Sequence, residues 1–124
     1  MIRVLIVDDS SVIRALLNRF LSSDPEIQVV GQAPDPFVAR EKLVSLKPDV
    51  MTLDIEMPRM DGFTFTRTLR ATRGWEDVPV VIMTSRGSEA DQHAGLEAGA
   101  SAYLLKSEFN QAELLDTVRR LLGR

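Results

Sequence analysis

Asp8 and Asp9 stand together near the start of the chain, Asp54 stands alone after an apolar run, Thr84 and Ser85 follow a second run, and Lys106 follows a third. Three carboxylates held within a few ångströms cannot all stay ionised unaided, so one takes a proton or a cation neutralises them. Carboxylate oxygens suit a hard cation. Mg²⁺ usually takes one or two of them, keeps several waters and leaves positions for phosphate oxygens. An acidic pocket that holds Mg²⁺ beside a hydroxyl and a lysine is fit for phosphoryl transfer: cation and lysine neutralise the equatorial oxygens while Thr84 donates a hydrogen bond. There is no Cys, and the single His93 falls in the middle of a helical segment, so the nucleophile must be a carboxylate. Asp54 is the best candidate, because it ends a central strand and the turn after it exposes its side chain.

These residues converge only if the elements beneath them bring their ends together. Ile2 to Val7 is a short, β-branched apolar run that stops at carboxylates, as a strand buried on both faces does. Ser10 or Ser11 caps a helix with Val12, Ile13, Leu16, Leu17, Phe20 and Leu21 at helical spacing. Ile27 to Val30 is a second strand ending at Gly31, and Asp35 to Leu46 a second helix that Pro48 keeps from extending. Val50 to Leu53 is the third strand, Glu56 to Gly62 a loop, and Phe63 to Thr72 the third helix. Val78 to Met83 is the fourth strand, with Pro79 near its start. Ser88 with Asp91 opens a fourth helix that ends at Gly99. Ala102 to Leu105 is the fifth strand. Asn110 with Glu113 opens a last helix that buries Leu114, Leu115, Val118, Leu121 and Leu122.

Alternation of this kind gives a parallel sheet covered by helices on both faces, with function at the carboxyl ends of the strands. In the strand order 2-1-3-4-5 the blandly ending second strand lies at the edge. The four polar ends then belong to adjacent strands and can face one crevice.

The composition removes competing classes. The 124 residues suit one domain, and 44% apolar with 27% charged content excludes disorder, collagen and coiled-coil readings. A formal charge of −3 offers no basic footprint for nucleic acid. Without Cys there is no disulfide scaffold or thiol nucleophile, and one His excludes a multi-histidine metal site. No run approaches the roughly 20 apolar residues of a membrane span. The first apolar run is too short for a signal peptide and meets Asp8 and Asp9 at once. A cytoplasmic protein with no direct contact to nucleic acid or membrane is expected.

With these residues in view, the chain resembles the receiver domains of bacterial two-component response regulators. The resemblance rests on Val7-Asp8-Asp9-Ser10, Leu53-Asp54, the loop Met57-Pro58-Arg59-Met60-Asp61-Gly62, Thr84, Tyr103 and Lys106, in order over the whole chain. It implies a flavodoxin-like (βα)5 doubly wound parallel sheet, one receiver domain over residues 1–124, and a phosphoacceptor switch in place of a turnover enzyme. It further implies that Asp54 takes a phosphoryl group from a histidine kinase phosphohistidine with Mg²⁺. In that family Asp9, Asp54 and the backbone carbonyl of Glu56 bind the metal, and Asp8 acts through water. Thr84 and Tyr103 carry the switch, reshaping the face of the fourth helix, fifth strand and fifth helix.

Among receivers the chain looks like chemotaxis members. Ser23-Asp24-Pro25 and Ala33-Pro34-Asp35-Pro36 are similar to the methylesterase regulatory domain, and Thr84-Ser85-Arg86 with Lys106-Ser107-Glu108-Phe109 to receivers of hybrid chemotaxis kinases. The length leaves nothing for an output domain, so any effect is expected through an effector protein or a fused output domain, with the receiver a monomer or a phosphorylation-dependent dimer. One departure stands out: the family usually places a cis-bonded proline after the lysine, where this chain has Ser107. A cis bond before a non-proline residue costs about 2.5–4 kcal/mol, so a trans bond is expected.

Other readings share some of these features. A small Mg²⁺-dependent phosphatase or phosphotransferase would also gather carboxylates at strand ends, but a haloacid-dehalogenase-like enzyme expects an acid two positions after its first-strand nucleophile, where Ser10 stands. Neither G-x-G-x-x-G nor G-x-x-x-x-G-K-[ST] occurs. Tyr103 could pack at the sheet edge, Thr84 and Ser85 could satisfy a loop, and Trp75 reads as packing.

Overall fold

In the computed structural model, which describes residues 1–56, 61–85 and 87–123, the chain alternates strand and helix throughout: β1 (Ile2–Val7), α1 (Ser11–Ser22), β2 (Ile27–Ala33), α2 (Pro36–Leu46), β3 (Val50–Leu53), α3 (Gly62–Arg70), β4 (Val80–Thr84), α4 (Glu89–Ala98), β5 (Ala102–Leu105) and α5 (Gln111–Leu121). The strands form one parallel sheet in the order β2-β1-β3-β4-β5, as expected. Met57, Pro58, Arg59, Met60 and Arg86, which carried part of the resemblance, lie outside the described residues.

Alternate residues of the inner strands feed two cores. Leu5, Val7, Met51, Leu53 and Ile82 meet α2 and α3 through Ala39, Leu43, Phe65 and Leu69. Ile2, Val4, Ile6, Val81 and Met83 meet α1 and α5 through Leu17, Leu21, Leu114 and Val118. A strand buried on both faces needs this continuous apolar composition.

Each helix begins on a polar side chain that accepts from an otherwise unpaired amide. Ser10 caps α1, Asp35 accepts from two amides of α2 behind Pro36, Asp61 caps α3, Ser88 caps α4 and Asn110 caps α5. Gly99 closes α4 with φ +107°.

Several boundaries differ from the sequence reading. β2 continues through Gly31 to Ala33, because its register with β1 shifts between Val4 and Leu5 and restores the ladder beyond the glycine. β4 begins at Val80, after Pro79, which has no amide to give the ladder; the Val80 amide itself donates to Ser101 Oγ at 3.1 Å. α3 stops at Arg70 with Ala71 as its cap. Val12 was expected on the buried stripe but is 75% exposed, since Leu17 and Leu21 set the buried face of α1. On α5 only Leu114 and Val118 of the five expected residues are fully buried; Leu115, Leu121 and Leu122 pack at the margin.

Candidate functional site

β1, β3, β4 and β5 deliver Asp8, Asp54, Thr84 and Lys106 to one end of the sheet. The ladder extends just past the strands to hold them: the Asp8 amide donates to Ala33 O, the Asp54 amide to Val7 O and the Lys106 amide to Thr84 O, at 3.0, 3.0 and 2.8 Å. One carboxylate oxygen each from Asp8, Asp9 and Asp54 lies within 4.8 Å of the others. Asp8 and Asp54 are 1% and 4% exposed, whereas Asp9 faces solvent.

Each of the two buried carboxylates has one oxygen held by a backbone amide and the other turned to Lys106. Asp8 Oδ1 accepts from the Ser10 amide at 2.9 Å and Asp54 Oδ1 from the Glu56 amide at 3.0 Å. Lys106 Nζ sits 2.8 Å from Asp8 Oδ2 and 3.3 Å from Asp54 Oδ2. The Lys106 ammonium is thus the charge partner of the buried Asp8 Oδ2 and, more loosely, of Asp54 Oδ2. One ammonium against three clustered carboxylates leaves an excess of negative charge that a further cation would neutralise. Together with the clustered donor atoms, it is the mark of a site whose chemistry fits a hard, oxygen-seeking metal ion.

The electrostatics follow from burial. Desolvation raises the Asp54 carboxyl above the ordinary carboxylate value, and Asp8 adds to this, while the Glu56 amide and the Lys106 ammonium oppose it. Burial alone would lower Lys106, but Asp8 and Asp54 outweigh it and hold the ammonium above its usual value. The lysine is therefore cationic at neutral pH.

Thr84 is fully buried, and its Oγ1 lies 3.5 Å from Glu56 Oε1, to which Ser85 Oγ also donates at 3.1 Å. Tyr103, on β5, is half-buried against the α2–α3 core, and its ring lies over Gly95 of α4. The described residues contain no cis peptide, as expected for Lys106-Ser107, and the turn after the lysine is held by the Glu108 and Phe109 amides donating to Leu105 O. Lys106 thus reaches the carboxylates without the family's proline.

Two supports have roles that the sequence reading did not assign. Arg14 Nη1 donates to the Asp8 backbone oxygen at 2.6 Å, bracing the acidic turn from α1. Its position in the first turn of the helix after the acids was a signal, although nothing local distinguishes it from a solvated arginine. Gly62 is the second: a Cβ there would stand 2.6 Å from Ile55 Cα and 2.9 Å from Asp54 O. Only glycine lets α3 begin so close to the backbone of the candidate phosphoacceptor.

This arrangement defines a class of protein before any particular relative is considered: a parallel α/β domain presenting a carboxylate cluster and a lysine at the carboxyl ends of its strands. A family model for the response regulator receiver domain matches residues 4–119, and the chain belongs to that family. The acidic pocket of Asp8, Asp9 and Asp54 fits a phosphoacceptor site. The chain is 49% identical over 117 residues to a protein-glutamate methylesterase/protein-glutamine glutaminase of Bdellovibrio bacteriovorus, covering 94% of this chain and 33% of the relative. It is 47% identical over 115 residues to a protein of the same description from Xanthomonas campestris pv. campestris, covering 93% and 32%. The chain therefore spans about a third of the length of these curated relatives. Among solved structures, the response regulator domain of Thermotoga maritima CheB superposes with a TM-score of 0.88 at 33% identity, covering 100% of this chain and 98% of that one. No helix among the described residues is long and apolar enough to cross a membrane.

Proposed function

We propose that the chain is a chemotaxis-type phosphoacceptor switch that takes a phosphoryl group from the phosphohistidine of a sensor kinase onto Asp54. The observation that carries this reading is the Asp54 carboxylate itself, buried at a strand end with one oxygen fixed by the Glu56 amide and the other turned toward Lys106. In the transfer an Asp54 oxygen forms the new O–P bond as the donor's N–P bond breaks, and the departing imidazole nitrogen takes up a proton. Asp9, Asp54 and the Glu56 backbone carbonyl would hold Mg²⁺, with Asp8 acting through water. When bound, the ion supplies positive charge against the phosphoryl oxygens. Lys106 pairs with the transferred group once Asp54 is esterified, and Thr84 turns its hydroxyl from Glu56 to the phosphoryl oxygens. Movement of Thr84 vacates space that Tyr103 follows, and the α4–β5–α5 face changes shape for an effector protein or a fused output domain. The methylesterase relatives support a chemotaxis setting in the cytoplasm, with the receiver acting as the regulatory part.

Incubation with Mg²⁺ and acetyl phosphate, followed by intact-mass measurement, tests the reading. One phosphoryl adduct is expected, absent from Asp54→Asn. No adduct, or one that survives the substitution, overturns it, and sustained turnover of p-nitrophenyl phosphate would favour a phosphatase instead.

A further inference from the structure

Lys106 reaches two carboxylates from the connection between β5 and α5, in which Ser107 and Glu108 face solvent and Phe109 is half-buried. A lysine side chain is a charge on a flexible four-carbon stem, so the aim of its ammonium depends on how firmly the backbone beneath it is held. On one side the Lys106 amide is fixed to Thr84 O at 2.8 Å. On the other, the Glu108 and Phe109 amides fold back onto Leu105 O at 3.1 and 3.0 Å. Serine at position 107 puts no ring into this turn, so the turn is stiffened by what packs on it.

That packing comes from α1. The Phe109 ring meets Phe20 edge-on, with centroids 6.2 Å apart and planes at 70°, and both rings border the core shared by α1 and α5. This is a preferred geometry for an aromatic pair. Two residues beyond Phe109, Gln111 Nε2 donates to Ser23 Oγ at 2.6 Å, and that hydroxyl donates to Phe20 O at 2.6 Å. Farther along α5, Arg119 holds both oxygens of Asp24 at 2.7 Å. The end of α1 and the start of α5 are therefore clasped by an aromatic pair, a hydrogen-bond chain and a bidentate ion pair. The first two bear directly on the segment that follows Lys106.

We propose that Phe20 and Phe109, with Gln111 beside them, are positioning residues for Lys106: they hold the turn so that the ammonium stays aimed between Asp8 and Asp54. Neither ring belongs to the acidic pocket, so each acts on a transferred group only through the lysine. The consequence for transfer rests on the phosphoacceptor reading; the placement of the lysine does not. A displacement of about 1 Å can cost on the order of a hundredfold in rate, so slackening one wall of the turn should slow phosphoryl acceptance about tenfold while the carboxylates stay in place.

The test reads the lysine directly. Lys42 and Lys47 are the only other lysines, so brief acetylation with sulfo-N-hydroxysuccinimide acetate and peptide mass spectrometry score Lys106 against two internal references. An ammonium held between carboxylates acylates slowly, because the neutral amine is the nucleophile. Phe109→Ala and Phe20→Ala should each raise Lys106 labelling several-fold, with Lys42, which donates to Gln32 O, unchanged. Gln111→Ala, at an exposed position, should raise it to a smaller extent. In parallel, adduct formation with acetyl phosphate should slow in Phe109→Ala without weaker Mg²⁺ binding by calorimetry, and in a Lys106→Ala background the same substitution should slow it no further. Lys106 labelling at the parent level in all three variants overturns the proposal, whatever phosphorylation does. So does labelling of Lys42 and Lys106 rising together, or a rate loss that persists in the Lys106→Ala background, since either marks a role in general stability. Selective labelling with undiminished transfer overturns its bearing on the reaction. Selective labelling in the variants of a chain whose parent forms no adduct would instead sink the phosphoacceptor reading and leave the positioning of the lysine standing.

Discussion

Gly95→Ala tests how Tyr103 is seated. A Cβ at position 95 would stand 2.8 Å from Tyr103 Cδ2, 2.9 Å from Cε2 and 3.3 Å from Ile82 Cδ1. Carbon atoms prefer about 3.5 Å or more, so the shortfall of 3.5 − 2.8, about 0.7 Å, must be absorbed by the ring, because Ile82 lies fully buried behind it. Overpacking of this kind costs about 1–3 kcal/mol, whereas replacing glycine by alanine inside a helix favours folding by about 0.8–1.0 kcal/mol. The net is a destabilisation of about 0–2 kcal/mol, too narrow to decide by itself. A double-mutant cycle with Tyr103→Ala separates the parts: with the ring gone, Gly95→Ala should stabilise by about 1 kcal/mol, leaving a coupling of about 1–3 kcal/mol between the two positions. Urea unfolding gives the energies, and the ring protons of Tyr103, the only tyrosine, give the displacement by NMR. If Gly95→Ala stabilises equally in both backgrounds and the ring signals stay in place, Gly95 is not the slot for Tyr103 and the reasoning fails. If the ring is displaced, the same variant should shift the α4–β5 face without touching the acidic pocket.

Three further outcomes are expected. Thr52 Oγ1, on the central strand between Ile6 and Val81, is buried without a hydrogen-bond partner, so Thr52→Val should stabilise by about 1–2 kcal/mol in urea unfolding; an equal or lower midpoint would show that the hydroxyl is satisfied. Asp24 is held below the ordinary carboxylate value by the Glu26 amide and then by the Arg119 guanidinium, so its contribution is full above the unfolded carboxylate pKa and fades as pH falls through the lowered folded value. Asp24→Asn should therefore flatten the acid limb of a stability–pH profile, and an unchanged limb would contradict the pairing. Glu56→Asn removes a negative charge that accepts from Thr84 and Ser85 beside Asp54, so decay of the phosphorylated state, followed by intact mass, should become several-fold faster; equal rates would show that the Glu56 charge does not slow hydrolysis.

Much of the fold was legible because its signals are local. β1, β3 and β5 are mainly apolar runs, interrupted only by Arg3 in β1 and Thr52 in β3, α1 and α5 repeat their apolar residues at helical spacing, and Ser10, Asp35, Ser88 and Asn110 mark helix starts by chemistry that involves only the next three residues. The misplaced boundaries fell where a distant neighbour decides. Gly31 reads as a stop, yet β1 offers it a ladder through a shifted register, and whether β2 continues depends on that partner strand.

The sequence by itself determined which side chains could meet. Acids and a lysine at the ends of alternating strands, with no Cys and one mid-helix His, specify a cation-binding carboxylate site and a carboxylate acceptor. Only the tertiary structure decided how they meet, because hydrogen-bond geometry and desolvation depend on atoms brought together from far along the chain. Asp8 and Lys106 are 98 positions apart in the numbering, yet they meet as a buried ion pair at 2.8 Å. The same holds for Glu56 gathering the hydroxyls of Thr84 and Ser85, for Arg14 bracing Asp8, and for α2 meeting Trp75 across two surface depressions. Periodicity tells which face of an element is apolar, but which neighbour covers that face, and which part stays open, is settled only by packing.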